Sequence, residues 1–195
     1  GCTHTTLELV DEPQQLKRIG QFAEKRKIYA AYHTHLQGSM TAFDQAFAMS
    51  KGNMANVDLG HFVAAGGDPV TFIKKFNGRI SSVHLKDRTT PAHGQKNLPW
   101  GTGDTPLREI LLTMKRDKHT YPAAIELEYD VPAESDAVKE TAKCFAFCKT
   151  AYKPYDQLVL AVLSVIADRV PSVRVSSDGS KEDWEPAVRW ACTML

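Results

Sequence analysis

The chain has 195 residues, of which 43% are hydrophobic and 24% are charged, with 24 Lys and Arg against 23 Asp and Glu. These fractions exclude a disordered or collagen-like chain, and the net charge of +1 disfavours a nucleic-acid-binding protein. No window reaches about 18 continuous apolar residues, so we expect no membrane partner either. The four cysteines form no CxxC pair and predict no disulfide framework.

Short apolar strands alternate with helices through residues 1–152. Two helix starts are clearly marked, because Pro13 follows two acidic residues and Asp68 precedes Pro69. In chain order, the apolar spacing predicts a helix from 13, a strand at 28–32, a helix at 41–49, a strand at 55–57, a helix at 69–76, a strand at 80–85, a helix at 106–114, a strand at 123–127 and a helix at 135–152. The last helix is expected to be amphipathic, with one apolar side formed by Val138, Ala142, Phe145 and Cys148.

No hairpin signal separates these strands, so the pattern predicts an α/β fold with parallel strands covered by helices. A doubly wound sheet and a (βα) barrel both satisfy the pattern. The four strand–helix units amount to about half of an eightfold barrel, which typically needs about 250 residues. After residue 152 the rhythm changes, and 153–195 is predicted to be an appended helix–strand–helix extension of unknown role.

Polar side chains stand at the carboxyl end of every predicted strand. In strand order they are His33 with His35, Asp58 with His61, His84 with Lys86 and Arg88, and Glu126 with Glu128. In parallel α/β folds this edge of the sheet binds ligands, and strand residues two apart point to the same face. Converging imidazoles and carboxylates supply ligands for Mn²⁺, Co²⁺, Mg²⁺ or Zn²⁺, and carboxylates beside such an ion can act as general bases. The coincidence of four strand ends therefore predicts one shared polar site that holds a divalent metal.

Each of these residues, taken alone, also fits a structural role. A single histidine at a strand end is commonly a hydrogen-bonded structural residue, and Asp58 before Gly60 fits a turn. The acids at 126 and 128 fit a solvated strand edge. The string 86–88, Lys-Asp-Arg, fits a surface ion-pair cluster of little energetic value.

The segment 97–104 joins two glycines, an aromatic residue and an acid after the strand at 80–85. Glycine lets the backbone approach a ligand closely, and Trp100 can stack on a sugar or close a pocket. The same segment fits a tight turn that caps the next helix through Asp104 or Thr105. The two interpretations are compatible.

A family resemblance rests on five segments, which read YHTH at 32–35, VDLGH at 57–61, VHLKD at 83–87, PWGTGD at 99–104 and IELE at 125–128. In this order they resemble the sugar phosphate isomerase/epimerase proteins of the xylose-isomerase-like TIM-barrel superfamily. The resemblance covers about residues 1–152 and implies the carboxyl-terminal half of that barrel, a partial (βα)8 barrel of about four units. It also implies that residues 2–6 are the tail of the preceding strand.

The resemblance implies a metal-dependent sugar or sugar phosphate isomerase or epimerase, with proton transfer at the carbon next to a carbonyl. The implied metal ligands are Asp58, His84 and Glu126, together with His33, where active epimerases carry Glu. Glu126 or Glu128 is the implied base, with Glu128 also an alternate ligand, and His61 orients the substrate. The remaining residues assigned to binding of the sugar are His35, Lys86, Arg88 and Trp100.

Two other functions are consistent with the sequence. One is a catalytically inactive half-barrel remnant that dimerises or binds a small polyol. The other, less favoured because of the near-neutral charge, is a metal-dependent phosphodiester hydrolase. A half barrel leaves sheet edges open, which the 153–195 extension or a second copy in a homodimer could cover. We expect a cytoplasmic location, although a chain that begins at Gly1 says nothing about a signal peptide.

Overall fold

The structure, a computed structural model, describes residues 2–151, so the predicted extension at 153–195 lies outside the described residues. The chain divides into two compact units, Gly1–Thr141 and Ala142–Leu195, and the sheet lies in the first. The elements are β1 (His4–Glu8), α1 (Pro13–Arg26), β2 (Tyr29–His33), α2 (Asp44–Met49), β3 (Asn53–Asp58), α3 (Leu59–Ala64), α4 (Pro69–Lys75), β4 (Ile80–Leu85), β5 (Asp87–Arg88), β6 (Asn97–Leu98), α5 (Leu107–Arg116), β7 (Ala123–Ile125) and α6 (Ala137–Ala151). Short 3-10 turns cover Asn77–Arg79 and Pro91–His93.

Five parallel strands form one sheet in the order β1-β2-β3-β4-β7. Helices connect successive strands, as parallel pairing requires. Every residue of β3 is buried, whereas β1 at the sheet edge is largely exposed. The prediction of an α/β partial barrel with parallel strands is confirmed.

The sheet is strongly curved. His4 on β1 and Ser82 on β4 are separated by two intervening strands, which places their backbones about 14 Å apart in a flat sheet. Nevertheless Nε2 of His4 lies 3.3 Å from Oγ of Ser82. The strands therefore curl around a polar interior, as they do in a barrel.

Local signals explain several helix boundaries. The Asp68 side chain accepts hydrogen bonds from the backbone N–H groups of Val70 and Thr71 at 3.0 and 3.1 Å, which caps α4 where the sequence predicts. Helix α1 begins at Pro13, also as predicted, and ends at Arg26, followed by Lys27 in the left-handed region with φ at 57°. The core between the helices and the sheet includes the fully buried Phe62 and Phe72.

Three features of the fold differ from the predictions. Strands β5 and β6 form an antiparallel pair, although the sequence contains no hairpin signal. Helix α3 follows β3 directly, in a segment for which the sequence predicts no helix. On α6, the predicted apolar residues Val138 and Phe145 are exposed. The face of α6 that carries Glu140 is the buried one, because that carboxylate accepts hydrogen bonds from the hydroxyls of Tyr129 at 2.8 Å and Ser135 at 2.5 Å.

Candidate functional site

The carboxyl ends of the strands bring the predicted ligands together. Asp58 at the end of β3 pairs in register with His84 on β4, and His33 ends the neighbouring strand β2. One ligand atom from each of these three side chains lies within 4.8 Å of the other two. The carboxylate of Glu126, the fourth predicted ligand, lies beside this group and contacts His84 and Lys86.

Hydrogen bonds fix which nitrogen of each histidine can bind an ion. Nδ1 of His33 lies 2.7 Å from Oδ1 of Asn56, and Nδ1 of His84 lies 2.5 Å from Oε2 of Glu126. An amide oxygen and a carboxylate oxygen only accept hydrogen bonds, so both Nδ1 atoms carry the proton. The Nε2 lone pairs are therefore free to act as ligands, the arrangement that metal-binding histidines usually show.

Asp58 combines two roles. Its Oδ1 accepts a hydrogen bond of 2.7 Å from the backbone N–H of His61 and so caps α3, which agrees with the predicted turn role. Its Oδ2 is buried and forms an ion pair with Lys86, whose Nζ lies 3.0 Å away. Burial raises the pKa of the Asp58 carboxyl, and the Lys86 charge partly offsets this rise. Two imidazole nitrogens and this carboxylate oxygen are donors that fit a divalent cation.

Lys86 lies at the centre of the acidic residues. Only 2% of its side chain is exposed, and its Nζ lies 3.0 Å from Asp58, 2.9 Å from Glu126 and 2.5 Å from Glu128. Burial opposes the lysine charge, but the three carboxylates outweigh it and raise the pKa of the ammonium group. The same contacts show that both glutamates converge on Lys86, although β7 ends at Ile125 and neither glutamate lies on the strand predicted at 123–127.

The interpretation of 86–88 as a surface ion-pair cluster is wrong, because all three side chains are buried. Lys86 packs directly over Gly60, where an added Cβ would lie 2.2 Å from its Cγ. The acids that neutralise Lys86 come from the end of β3 and from the segment after β7, both distant in sequence. No local pattern could therefore reveal that this lysine is buried.

His61 and Arg88 form a second pair. Nη1 of Arg88 donates to Nδ1 of His61 over 2.5 Å, and Nη2 donates to the backbone oxygen of Gln95 over 2.6 Å. A guanidinium has no acceptor, so the His61 proton lies on Nε2, which is 3.9 Å from Oε2 of Glu128. Burial, with the charges of Lys86 and Arg88, lowers the pKa of His61 to about 4. The guanidinium of Arg88 is thus engaged by His61 and by the backbone at Gln95, and its assignment to substrate binding stays a prediction.

Of the other two predicted substrate-binding residues, His35 lies at the margin of the site. The His35 ring is 4.9 Å from the His33 ring and 5.0 Å from the His61 ring, centre to centre. Its Nδ1 lies 3.4 Å from Oε2 of Glu8. Trp100 is half-buried in the loop at 99–104 that carries Gly101 and Gly103. Its assignment to sugar binding stays a prediction.

Asp87 organises that loop, a role that the sequence analysis missed. Its Oδ2 accepts hydrogen bonds from the backbone N–H groups of Gly101 at 2.8 Å and Gly103 at 3.0 Å. A Cβ at position 103 would lie 2.3 Å from Oδ1 of Asp87, so the loop requires glycine there. An acid two residues after β4, with a Gly-Thr-Gly segment beginning 14 residues later, is the pattern that could have revealed the pair.

The expected capping of α5 by Asp104 or Thr105 is wrong. No side chain caps α5 at its start, which is preceded by Pro106. Oδ2 of Asp104 instead accepts a hydrogen bond of 2.7 Å from the backbone N–H of Thr90. Oγ1 of Thr105 accepts one of 3.0 Å from the backbone N–H of Arg88. Both side chains therefore hold the loop to the segment after β4.

Comparison with known proteins agrees with this architecture. Residues 13–148 match the family model described as a xylose isomerase-like TIM barrel. The chain belongs to this family. The resemblance seen in the sequence is thereby confirmed.

One curated relative is the inosose dehydratase of Clostridium tetani, which is 32% identical to this chain over 139 residues. The match covers 68% of the chain and 40% of that relative, so the chain spans less than half of the relative's length.

Among solved structures, a xylose isomerase domain protein from Planctomyces limnophilus superposes with a TM-score of 0.63 at 19% identity, covering 77% of this chain and 58% of that one. The IolI protein, solved with a binding zinc atom, superposes with a TM-score of 0.59 at 16% identity, covering 77% and 63%. At identities this low, these superpositions show a shared fold and no more. In residues 2–151, no helix is both long enough and apolar enough to cross a membrane.

Proposed function

We propose that this chain carries the metal site of an enzyme that moves a proton at the carbon next to the carbonyl of a sugar or sugar phosphate. The observation that carries the proposal is the group of His33, Asp58 and His84, within 4.8 Å of one another at the ligand-binding edge of the sheet. The zinc atom of the IolI protein supports metal use in this fold. The relatives named inosose dehydratases support a sugar-like substrate. Loss of water beside a carbonyl begins with removal of a proton, so a dehydratase reaction is compatible with the proposed proton transfer.

The two histidines and Asp58 would hold the ion. A divalent cation there supplies positive charge against the negative charge that develops when a proton leaves a carbon beside a carbonyl. Glu126 hydrogen-bonds to Nδ1 of His84 and keeps Nε2 of that ring available. The role predicted for Glu126 as a direct ligand stays a prediction.

Glu128 is the residue that we assign as the base. Within residues 2–151 its polar contacts, to Lys86, Asn97 and His61, use Oε2, and 43% of its side chain is exposed. Its Oε1 can therefore reach a bound substrate. The hydrogen bond from Lys86 lowers the pKa of Glu128, so this carboxylate is ionised and able to accept a proton near neutral pH.

His61 is assigned to orient the substrate. Because Arg88 holds its Nδ1, the ring presents Nε2–H as a neutral donor on the side of Glu128. A neutral imidazole donor can stabilise a developing oxyanion without transferring its own proton. In this assignment Arg88 acts through His61, and Lys86 holds the acids in place.

The experiment is proton exchange in D₂O. The chain, loaded with Co²⁺ or Mn²⁺, is mixed with a panel of ketoses, their phosphates and an inosose, and the signal of the proton next to the carbonyl is followed by NMR. We expect that signal to be lost, and Glu128→Gln to slow its loss by about 10²–10⁴-fold, the usual contribution of a general base. Glu134→Gln, which changes an exposed acid, is the matched control.

Absence of exchange with every compound would contradict the proposed reaction and favour an inactive half barrel. Equal rates of proton exchange for Glu128→Gln and the unmodified chain would contradict the assignment of Glu128 as the base. The predicted homodimer and the predicted cytoplasmic location stay predictions. The mass of the purified chain in solution tests the first of these.

A further inference from the structure

A chain of buried polar side chains runs from the site into the curved sheet. Oδ1 of Asn56 lies 2.7 Å from Nδ1 of His33, and Nδ2 of Asn56 donates to Oγ of Ser82 over 2.6 Å. Asn56 is 2% exposed, and His33 and Ser82 are 8% and 5% exposed. The proposed reaction makes no use of Asn56. Its burial on a central strand therefore calls for a separate explanation.

The hydrogen bond from His33 to Asn56 has a chemical consequence. An amide oxygen only accepts, so His33 carries its proton on Nδ1 and keeps the lone pair on Nε2. An imidazole without this partner exchanges between two neutral tautomers, and only one of them has its lone pair on Nε2. The bond to Ser82 holds the amide group in the required orientation from its other side.

We infer that Asn56 is a positioning residue that fixes the His33 tautomer and so makes the centre prefer Zn²⁺ or Co²⁺ over Mg²⁺ or Mn²⁺. With Nε2 presented by both His33 and His84, the group around Asp58 has two nitrogen donors and one oxygen donor. Imidazole suits zinc-like transition ions, whereas carboxylate and water suit Mg²⁺ and Mn²⁺. The inference rests on the metal site of the proposed function and adds which ions that site selects and which residue sets the preference.

The first test is calorimetric titration of the full chain with Co²⁺ and with Mn²⁺. Asn56→Leu removes the acceptor, and we expect Co²⁺ affinity to fall by about 10–100-fold, the usual effect of losing a partner of a ligating histidine. Asn56→Asp keeps an acceptor for Nδ1–H and is expected to bind Co²⁺ at least as tightly as the unmodified chain.

Ser81→Ala is the matched control. It removes a neighbouring buried hydrogen bond, from Oγ of Ser81 to the backbone oxygen of Ala55 at 3.0 Å, that lies outside the chain leading to His33. Its Co²⁺ affinity is expected to be unchanged. Equal Co²⁺ affinity in Asn56→Leu and the unmodified chain would overturn the inference.

The second test changes the donor itself. In His33→Glu a carboxylate replaces the imidazole, and the ratio of the Mn²⁺ to the Co²⁺ dissociation constant is expected to fall by about tenfold or more. An unchanged ratio overturns the inferred preference and leaves the proposed reaction standing. The expected ratio without proton exchange overturns only the reaction. If neither ion binds the unmodified chain, both fail.

A third measurement needs no metal and no leucine variant. In the metal-free chain labelled with ¹⁵N-histidine, NMR reports which ring nitrogen carries the proton, and the His33 signals are those missing from His33→Glu. We expect a protonated Nδ1 and an unprotonated Nε2. A proton on Nε2 would overturn the inference even if Asn56→Leu fails to fold.

Discussion

The candidate site has two unlike sides. On the buried side, Asp58 and Lys86 have 0% and 2% of their side chains exposed and lie 3.0 Å apart. On the exposed side, Glu8 and His35 have 67% and 51% exposed and lie 3.4 Å apart. A buried charge depends on its partner, whereas an exposed pair is surrounded by water and contributes little. The difference indicates that the buried side sets the geometry and the exposed side can adapt to a substrate.

The largest effect is expected from Lys86→Met on the buried side. The variant keeps an unbranched side chain that is one atom shorter, and it leaves Asp58, Glu126 and Glu128 without their shared cation. Breaking a buried ion pair typically costs about 3–5 kcal/mol of unfolding free energy, which urea denaturation measures. Lys96→Met, at an exposed lysine, is the control and should stay within about 0.5 kcal/mol. Equal stability of the two variants would contradict the comparison.

The pH dependence of the Lys86→Met loss sharpens this prediction. The hydrogen bond from His84, together with Lys86, lowers the pKa of Glu126, and Lys86 lowers that of Glu128. A carboxylate whose pKa is lowered on folding stabilises the fold above its unfolded pKa, and the contribution is lost as pH falls below that value of about 4.3. The stability difference between Lys86→Met and the unmodified chain should therefore shrink in acid. A constant difference from pH 7 down to acid pH would argue against ionised acids around Lys86.

A smaller loss is expected from Gly60→Ala, where the new Cβ would lie 2.2 Å from Cγ of Lys86 and 2.8 Å from its backbone oxygen. Overpacking of this kind typically costs about 1–3 kcal/mol, measured by the shift of the urea midpoint. Gly78→Ala is the matched control, because no atom lies within 4 Å of a Cβ built there. A harmless alanine at 60 would show that Lys86 is free to move away.

The smallest effect is expected on the exposed side, from Glu8→Gln. The change removes the carboxylate charge beside His35, and pairs of this exposure typically contribute about 0.2–1 kcal/mol. The effect should also fade in high salt, because screening weakens exposed pairs most. A loss as large as that of Lys86→Met would erase the distinction between the two sides.

The same distinction describes what could be predicted from the sequence. Residues whose role depends on local pattern were predicted well, since β4 has the predicted bounds of 80–85 and Asp68 caps α4. The strand ends also placed His33, Asp58 and His84 at one edge, because parallel strands leave no other arrangement for them. Both successes use information contained within a few residues or in the order of the elements.

Features that depend on distant partners were not predicted. Lys86 is buried beside Asp58 at the end of β3 and the two glutamates that follow β7. Asp87 is buried because a loop 14 residues later folds over it. The antiparallel pairing of β5 with β6 likewise joins residues that are apart in the chain, Asp87 with Leu98 and Arg88 with Asn97. A string of charged residues looks solvated until its partners are known, so the spacing in 86–88 could not reveal its burial.

Asp58→Asn provides the most direct test of the account, since the amide can still accept the hydrogen bond that caps α3 but lacks the carboxylate charge. The measurement is Co²⁺ binding by calorimetry, with metal content checked by elemental analysis and with the exposed His93→Gln as the control. We predict one bound ion in the unmodified chain and the control, and no measurable binding in Asp58→Asn. Stoichiometric metal retained by Asp58→Asn would contradict the assignment of this site.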